Sequence, residues 1–142
     1  MIEEQEIKKT NNSRILGIDY GSKRVGVAVS DEKRQFALPV SVIQNTPELL
    51  AEIEKIAIDR ETKEIVLGES RNYKGEPNEI LLDSMDFKEK LEGLGFTVYF
   101  EQEFMTSVQA ERFQGKNSMT DASAAALILQ SYLDRSKKDS EN

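Results

Sequence analysis

The first part of the chain shows the two-residue period of β-strands. Arg14 to Ile18 is a short apolar run, and a turn signal follows it. Three valines then alternate with small or polar residues, which predicts a second strand paired with the first as a hairpin: Val25, Val27 and Val29. Gln35 to Val42 predicts a third strand. Pro39 within it indicates an edge position or a strand end, because proline has no N–H to donate to a neighbour.

From Thr46 the apolar positions follow the 3.6-residue period of a helix, up to Arg60. Two buried strands are then predicted at Glu64–Gly68 and Phe96–Phe100. The helix between them has one apolar face, formed by Ile80, Phe87, Leu91 and Leu94. A short helix follows over Thr106–Phe113. A last helix, opened by Thr120 or Asp121, has a face of Ala122, Ala125, Ala126, Leu129 and Leu133.

This order, β-β-β-α-β-α-β-α-α, predicts an α/β fold with one mixed five-stranded sheet. The first half is rich in antiparallel hairpins, the second half alternates strands and helices as parallel sheets do, and helices cover both faces. We expect a single domain over residues 14–135. Polar flexible tails are predicted on either side of it, at residues 1–13 and 136–142.

Composition narrows the possible chemistry. The 142 residues include no Cys and no His, which excludes thiolate metal sites, Ser–His–Asp triads and HExxH zinc sites. Catalysis would then depend on carboxylates, Lys, Tyr, hydroxyls or a metal with oxygen ligands, which favour Mg²⁺, Mn²⁺ or Ca²⁺. The net charge of −7 argues against a protein that coats nucleic acid, but not against an enzyme that contacts a few phosphates.

The predicted location is the cytoplasm, with no membrane partner. No apolar run in the sequence is long enough to cross a bilayer, and "MIEEQEIKKT" at the N-terminus lacks an apolar signal-peptide core.

Three acids stand where sites collect in such sheets, beyond the carboxyl ends of parallel strands. Asp19 ends the first strand, Glu103 lies just past the strand ending at Phe100, and Asp121 opens the last helix. If the strands ending at Asp19 and Phe100 are parallel neighbours, the three acids meet at one edge. Carboxylates so close repel one another unless a cation joins them. Two Mg²⁺ or Mn²⁺ ions about 4 Å apart could clamp a phosphodiester there.

Each acid also has a structural interpretation. Asp19 suits a turn, Glu103 could be a solvated loop acid with Glu101 as its rival, and Asp121 suits a helix N-cap or first turn. The segment "DYGSKRVGVA" lacks the P-loop and Rossmann patterns. It looks like the first phosphate motif of actin-like ATPases and sugar kinases, but those proteins need two such domains. A nucleotide-binding role is therefore disfavoured.

Four segments in chain order resemble the YqgF/RuvX family: "RILGIDYGSKRVGVAVSD", "IVLGESRNYKGEPN", "MTSVQAER" and "TDASAAALILQSYLD". They extend over nearly all of Arg14 to Asp134, and the first and last are the most specific. The family consists of RNase H-like proteins described as Holliday junction resolvase-like, or as nucleases that mature the small-subunit ribosomal RNA precursor.

The resemblance implies an RNase H-like fold and a metal-dependent nuclease acting at the 5′ end of pre-16S rRNA or on Holliday-junction-like DNA. The family's triad, which binds one or two Mg²⁺ or Mn²⁺ ions, matches Asp19, Glu103 and Asp121. The residues expected to contact the substrate are Lys23, Arg24, Arg71, Asn72, Thr106 and Ser107.

The chain departs from the family pattern in two places that concern nucleic-acid binding. Phe104 replaces the Arg that usually follows the triad Glu, and the basic cluster expected before Asp121 is reduced to Lys116. These changes leave the triad intact. They keep a second hypothesis open, a binding module with weak or no catalysis. The sequence leaves the choice between monomer and homodimer open as well.

Overall fold

Five strands and three helices form the part of the chain that the structure describes. A computed structural model describes the backbone of residues 14–70, 79–103 and 118–141, with side chains for 14–68, 82–101 and 122–136. The elements in chain order are β1 (Leu16–Tyr20), β2 (Arg24–Ser30), β3 (Ala37–Gln44), α1 (Leu49–Asp59), β4 (Glu64–Ser70), α2 (Glu79–Gly93), β5 (Thr97–Glu103) and α3 (Ser118–Glu141). The predicted tail at 1–13 and helix at Thr106–Phe113 lie outside the described residues.

The strands form one mixed sheet in the order β3-β2-β1-β4-β5. β2 pairs antiparallel with β1 and β3, whereas β1, β4 and β5 are parallel. β3 lies at an edge, as Pro39 predicted. The register against β2 shifts from Val27–Ser41 to Ala28–Pro39, so Val40 is an extra residue in a β-bulge. The predicted mixed sheet, with an antiparallel first half and a parallel second half, is confirmed.

Helices cover both faces of the sheet, again as predicted. α1 and α2 pack on one face through fully or nearly buried side chains: Leu49, Ile53, Ala57, Phe87 and Leu91. α3 packs on the other face through Ala125, Ile128, Leu129 and Leu133. Leu94 was expected on the buried face of α2 but is 45% exposed, because α2 ends at Gly93 and the chain turns away through Gly95 at φ +101°.

α3 approaches β1 very closely at Gly17. A Cβ placed on Gly17 would lie 2.6 Å from the Cβ of Leu129 and 3.0 Å from the carbonyl oxygen of Ala125. Glycine is therefore required here by the distance between strand and helix. The three alanines at residues 124–126 likewise add little side-chain volume between the helix and the sheet.

Two helix boundaries differ from the sequence prediction. α1 begins at Leu49 rather than at Thr46, whose hydroxyl instead accepts the Glu48 N–H at 3.3 Å in the turn before the helix. α3 begins at Ser118, before Thr120 and Asp121, and its backbone stays helical to Glu141, through the segment predicted as a tail from Ser136. Residues 118–141 contain no Gly or Pro that would stop a helix. No helix in the described ranges is long and apolar enough to span a bilayer.

The beginning of edge strand β3 is held by a side-chain amide from α3. Gln130 accepts the Ala37 N–H at 2.9 Å and donates to the carbonyl oxygen of Gln35 at 3.0 Å. The amide thus makes the two bonds that a neighbouring peptide group would make. Just beside it, Phe36 and Leu38 are more than half exposed.

Candidate metal centre at the carboxyl end of the parallel strands

Asp19 lies near the carboxyl end of the central strand. It is the fourth residue of β1 and pairs with Gly26 of β2. Side chains alternate along a strand: Ile18 packs in the core beside α1 and α2, whereas Gly17 faces α3. Asp19 therefore belongs to the α3 face, where it is half-buried. The strand continues one residue further than predicted, to Tyr20, whose ring packs on Phe87 with centroids 4.8 Å apart.

Glu103 is the last residue of β5 and is aligned with Ser70 of β4. The sequence argument brought the acids together on the condition that the strands of Asp19 and Glu103 are neighbours. They are not, because β4 lies between β1 and β5. Ile18, Leu67 and Phe100 are level across the three strands. Position 103 is thus two residues further along than position 19, on the same face. Strand spacing and rise put the two Cα atoms about 12 Å apart.

Asp121 is the fourth residue of α3, in its first turn. The helix runs in the opposite direction to β1. Gln130 binds the start of β3, which runs in the same direction as β1, whereas Ala125, five residues earlier in the helix, lies over Gly17 of β1. From Ala125 to Asp121 the helix advances about 6 Å, and from Gly17 to Asp19 the strand advances about 6.6 Å. The backbone at Asp121 therefore reaches the level of Asp19.

The backbone thus brings the three predicted acids to one end and one face of the sheet. Among the described side chains, no group of three acids is placed to hold a metal, but only the backbone of Glu103 and Asp121 is described, so the triad stays a prediction. Three carboxylates, in a chain without His or Cys, form the oxygen donor set that suits Mg²⁺ or Mn²⁺. The residues at this end of the sheet fit such an ion.

Glu101, the rival of Glu103, has another role. Its side chain is only 8% exposed and bonds to two residues of α3. The Ser131 hydroxyl donates to Oε2 at 2.9 Å, and the Arg135 guanidinium pairs with Oε1. Both carboxylate oxygens are therefore engaged by the helix. This leaves Glu103 as the candidate ligand on β5.

Aromatic side chains extend this polar contact between β5 and α3. The rings of Tyr99 and Tyr132 stack with centroids 5.5 Å apart, and the Tyr99 hydroxyl donates to Glu64 at 3.1 Å. Burial, followed by the hydrogen bond to Glu64, raises the pKa of Tyr99 above its usual value. Burial, followed by the charge of Glu64, also raises the pKa of Tyr132. The raised pKa values favour the protonated form of both hydroxyls, and that of Tyr99 donates to Glu64.

The turn between β1 and β2 presents basic residues beside Asp19. Lys23 and Arg24 are exposed there. Asn45, at the end of β3, holds this turn by donating its side-chain N–H to the Gly21 carbonyl at 2.8 Å and its backbone N–H to the Lys23 carbonyl at 2.9 Å. A Cβ on Gly21 would lie 2.4 Å from the Arg24 carbonyl oxygen, so the turn requires glycine. Lys23 thus lies on a fixed turn, and Arg24 follows it at the first position of β2.

The other residues expected to contact substrate lie outside the described residues: Arg71, Asn72, Thr106 and Ser107, as does Phe104. Sequence reasoning missed Asn45, Ser131 and Arg135. The last two are four residues apart and therefore share one face of α3. Their spacing beside the apolar face of α3 was the signal available in the sequence. It does not reveal that their partner is Glu101, about 30 residues away.

Comparison with known proteins identifies the family. A family model described as RuvX, Holliday junction resolvase, matches residues 13–135. The chain belongs to the RuvX family. A "Putative pre-16S rRNA nuclease" of Dictyoglomus thermophilum is 33% identical over 137 residues, 89% of this chain and 99% of that protein. A protein of the same name from Endomicrobium trichonymphae is 36% identical over 134 residues, 86% and 96% of the two chains. The family predicted from four sequence segments is confirmed.

Solved structures agree on the fold. RuvC of T. thermophilus, in complex with a Holliday junction substrate, superposes with a TM-score of 0.55 at 15% identity, covering 87% of this chain and 96% of RuvC. A second Thermus thermophilus RuvC structure gives a TM-score of 0.50 at 14% identity with the same coverage. At such identities the likeness concerns the fold alone. It confirms the predicted RNase H-like architecture of this RuvX family member.

Proposed function

We propose that this chain is a divalent-metal-dependent nuclease that hydrolyses phosphodiester bonds in structured nucleic acid. The proposal is supported above all by the backbone positions of three acids, Asp19, Glu103 and Asp121, which belong to the same end of the sheet and to the face covered by α3. Membership of the RuvX family and the names of the relatives support it.

The three carboxylates would hold one or two Mg²⁺ or Mn²⁺ ions. When bound, such ions polarise the scissile phosphate and lower the pKa of water. Asp19 is central, because it lies on β1, the middle strand of the sheet. Lys23 and Arg24 would bind backbone phosphates of the substrate, since they lie in the β1–β2 turn and at the first position of β2, next to the end of β1 that carries Asp19.

Arg71 is a further candidate contact by its charge, and the remaining substrate contacts are assigned from the family pattern. Arg71 would bind phosphate, and the polar side chains of Asn72, Thr106 and Ser107 would contact the nucleic acid near the metal. The favoured substrate is the 5′ end of pre-16S rRNA, because the relatives that are 33% and 36% identical bear that name. Four-way-junction DNA is the competing substrate and is tested alongside it. The cytoplasm is the expected location.

The decisive variant is Asp19→Asn, which keeps the shape of the side chain and removes its charge. We expect it to abolish Mn²⁺-dependent cleavage of an end-labelled pre-16S rRNA fragment and to weaken Mn²⁺ binding in calorimetry, with an unchanged thermal midpoint. Asp59→Asn is the matched control, because Asp59 is exposed and ends α1 just before β4 begins, at the opposite end of the sheet. Equal cleavage by wild type and Asp19→Asn would refute the assignment.

The same assay separates the alternatives. Cleavage of a four-way junction in place of the rRNA fragment would transfer the proposal to branched DNA. Binding of nucleic acid without cleavage, and without Mn²⁺ binding at millimolar metal, would favour the non-catalytic binding module.

A further inference from the structure

The two elements that carry Glu103 and Asp121 are tied together by an ion pair between a buried carboxylate on β5 and an exposed arginine on α3. Glu101 lies two residues before Glu103 on β5, and its partners Ser131 and Arg135 lie on α3, the helix of Asp121. Each carboxylate oxygen of Glu101 bonds to a different helical residue, so both the position and the rotation of the carboxylate are fixed.

The tie is directional, unlike the contact that α3 makes with β1. Over β1 the helix packs through apolar and small side chains, and apolar burial sets no direction. Glu101, whose side chain is only 8% exposed, by contrast requires its cation and hydrogen-bond donor in place, since an unpaired buried charge is strongly unfavourable. The Tyr99–Tyr132 stack, with Arg135 lying 5.6 Å from the Tyr132 ring centroid, reinforces the same register.

Because α3 is long, a small tilt of the helix at Ser131 produces a larger displacement at its N-terminal end, where Asp121 lies. Ser131 lies ten residues after Asp121, about 15 Å along the helix axis. A tilt of about 5° around Ser131 would displace the backbone at Asp121 by about 1 Å over that length. Metal–ligand distances tolerate only about 0.2 Å.

We propose that Glu101, Ser131 and Arg135 are positioning residues, which set metal affinity by fixing the helix of Asp121 against the strand of Glu103. None of the three is a ligand. The inference rests on the proposed metal site, so its test measures metal binding by the folded protein separately from stability.

The experiment is calorimetric titration of the full chain with Mn²⁺, for wild type, Glu101→Gln, Arg135→Ala and Arg135→Lys, each well below its thermal midpoint. Loss of groups that orient metal ligands weakens metal affinity about 10–100-fold, and we expect a Kd increase of about tenfold for Glu101→Gln and Arg135→Ala. Arg135→Lys keeps the charge and should restore part of the affinity.

Arg34→Ala is the matched control. Arg34 pairs with Glu64 in the first position of β4, on the α3 face but at the opposite end of the sheet. It should lower the thermal midpoint and leave the Mn²⁺ Kd unchanged. Ser131→Ala, which removes one hydroxyl, keeps the test available if Arg135→Ala does not fold, and should raise the Kd by a smaller factor.

Two outcomes overturn the inference in distinguishable ways. If Glu101→Gln and Arg135→Ala lower the thermal midpoint as Arg34→Ala does but bind Mn²⁺ like wild type, the tie is structural only and the metal site stands. If Asp19→Asn also binds Mn²⁺ like wild type, or wild type binds none, the metal site itself fails and the positioning role fails with it.

Discussion

The close approach at Gly17 gives a sharp stability prediction. The methyl group of Gly17→Ala would lie 2.6 Å from the Cβ of Leu129 and 3.0 Å from the backbone oxygen of Ala125. Neither atom is at the end of a flexible side chain, so the helix or the strand must move. Overpacking of this kind costs about 1–3 kcal/mol. For a domain of this size each kcal/mol lowers the thermal midpoint by about 3–5 °C.

The measurement is urea unfolding with Gly93→Ala as the paired substitution. A Cβ on Gly93 meets nothing within 4 Å, and Gly93 is the last residue of α2, so alanine there should stabilise the protein by up to about 1 kcal/mol. The same Gly→Ala change should thus lower the free energy of unfolding at position 17 and raise it at position 93. A Gly17→Ala protein as stable as wild type would show that β1 and α3 are not in the close contact described.

Two further predictions concern core packing and acid stability. Leu91→Ala should lower the free energy of unfolding in urea by about 2–5 kcal/mol, since Leu91 is fully buried. Leu94→Ala, at a position 45% exposed, should lower it far less. Similar losses in the two variants would contradict the end of α2 at Gly93. Asp31 accepts the N–H groups of Phe36 and Gln35 at 2.8 and 2.7 Å, and these bonds, that of Phe36 first, hold its pKa below the usual value despite an opposing effect of burial. A lowered pKa in the folded state means that this stabilisation is present above about pH 4 and is lost as the pH falls further. Asp31→Ala should therefore show a shallower loss of stability in acid than wild type, and parallel acid curves would rule that out.

Local patterns predicted the elements well, because each depends on nearby residues. The alternation of Val25, Val27 and Val29 gave β2, and Pro39 gave the edge position of β3. Strand order depends on the side of β1 to which each helical crossover returns the chain. No pattern within β1 or β5 indicates that β4 lies between them. The sequence therefore indicated that Asp19 and Glu103 follow parallel strands at the same end of the sheet, but the condition that these two strands are neighbours does not hold.

The distinction between Glu101 and Glu103 shows the same limit at the level of one side chain. Both positions have the same parity on β5 and the same residue type, so periodicity treats them alike. What separates them is a helix about 30 residues later, which supplies Arg135 and Ser131 to Glu101. Such a long-range ion pair is a property of the packed fold and has no local signature.

The Gln130 amide at the start of β3 affects how this protein behaves at high concentration. An open edge strand beside exposed apolar residues can recruit the strand of another molecule and start aggregation. Gln130 already occupies the Ala37 N–H and the Gln35 carbonyl, next to Phe36 and Leu38. A single amide thus blocks the start of this edge, where the strand of another molecule would otherwise begin to pair.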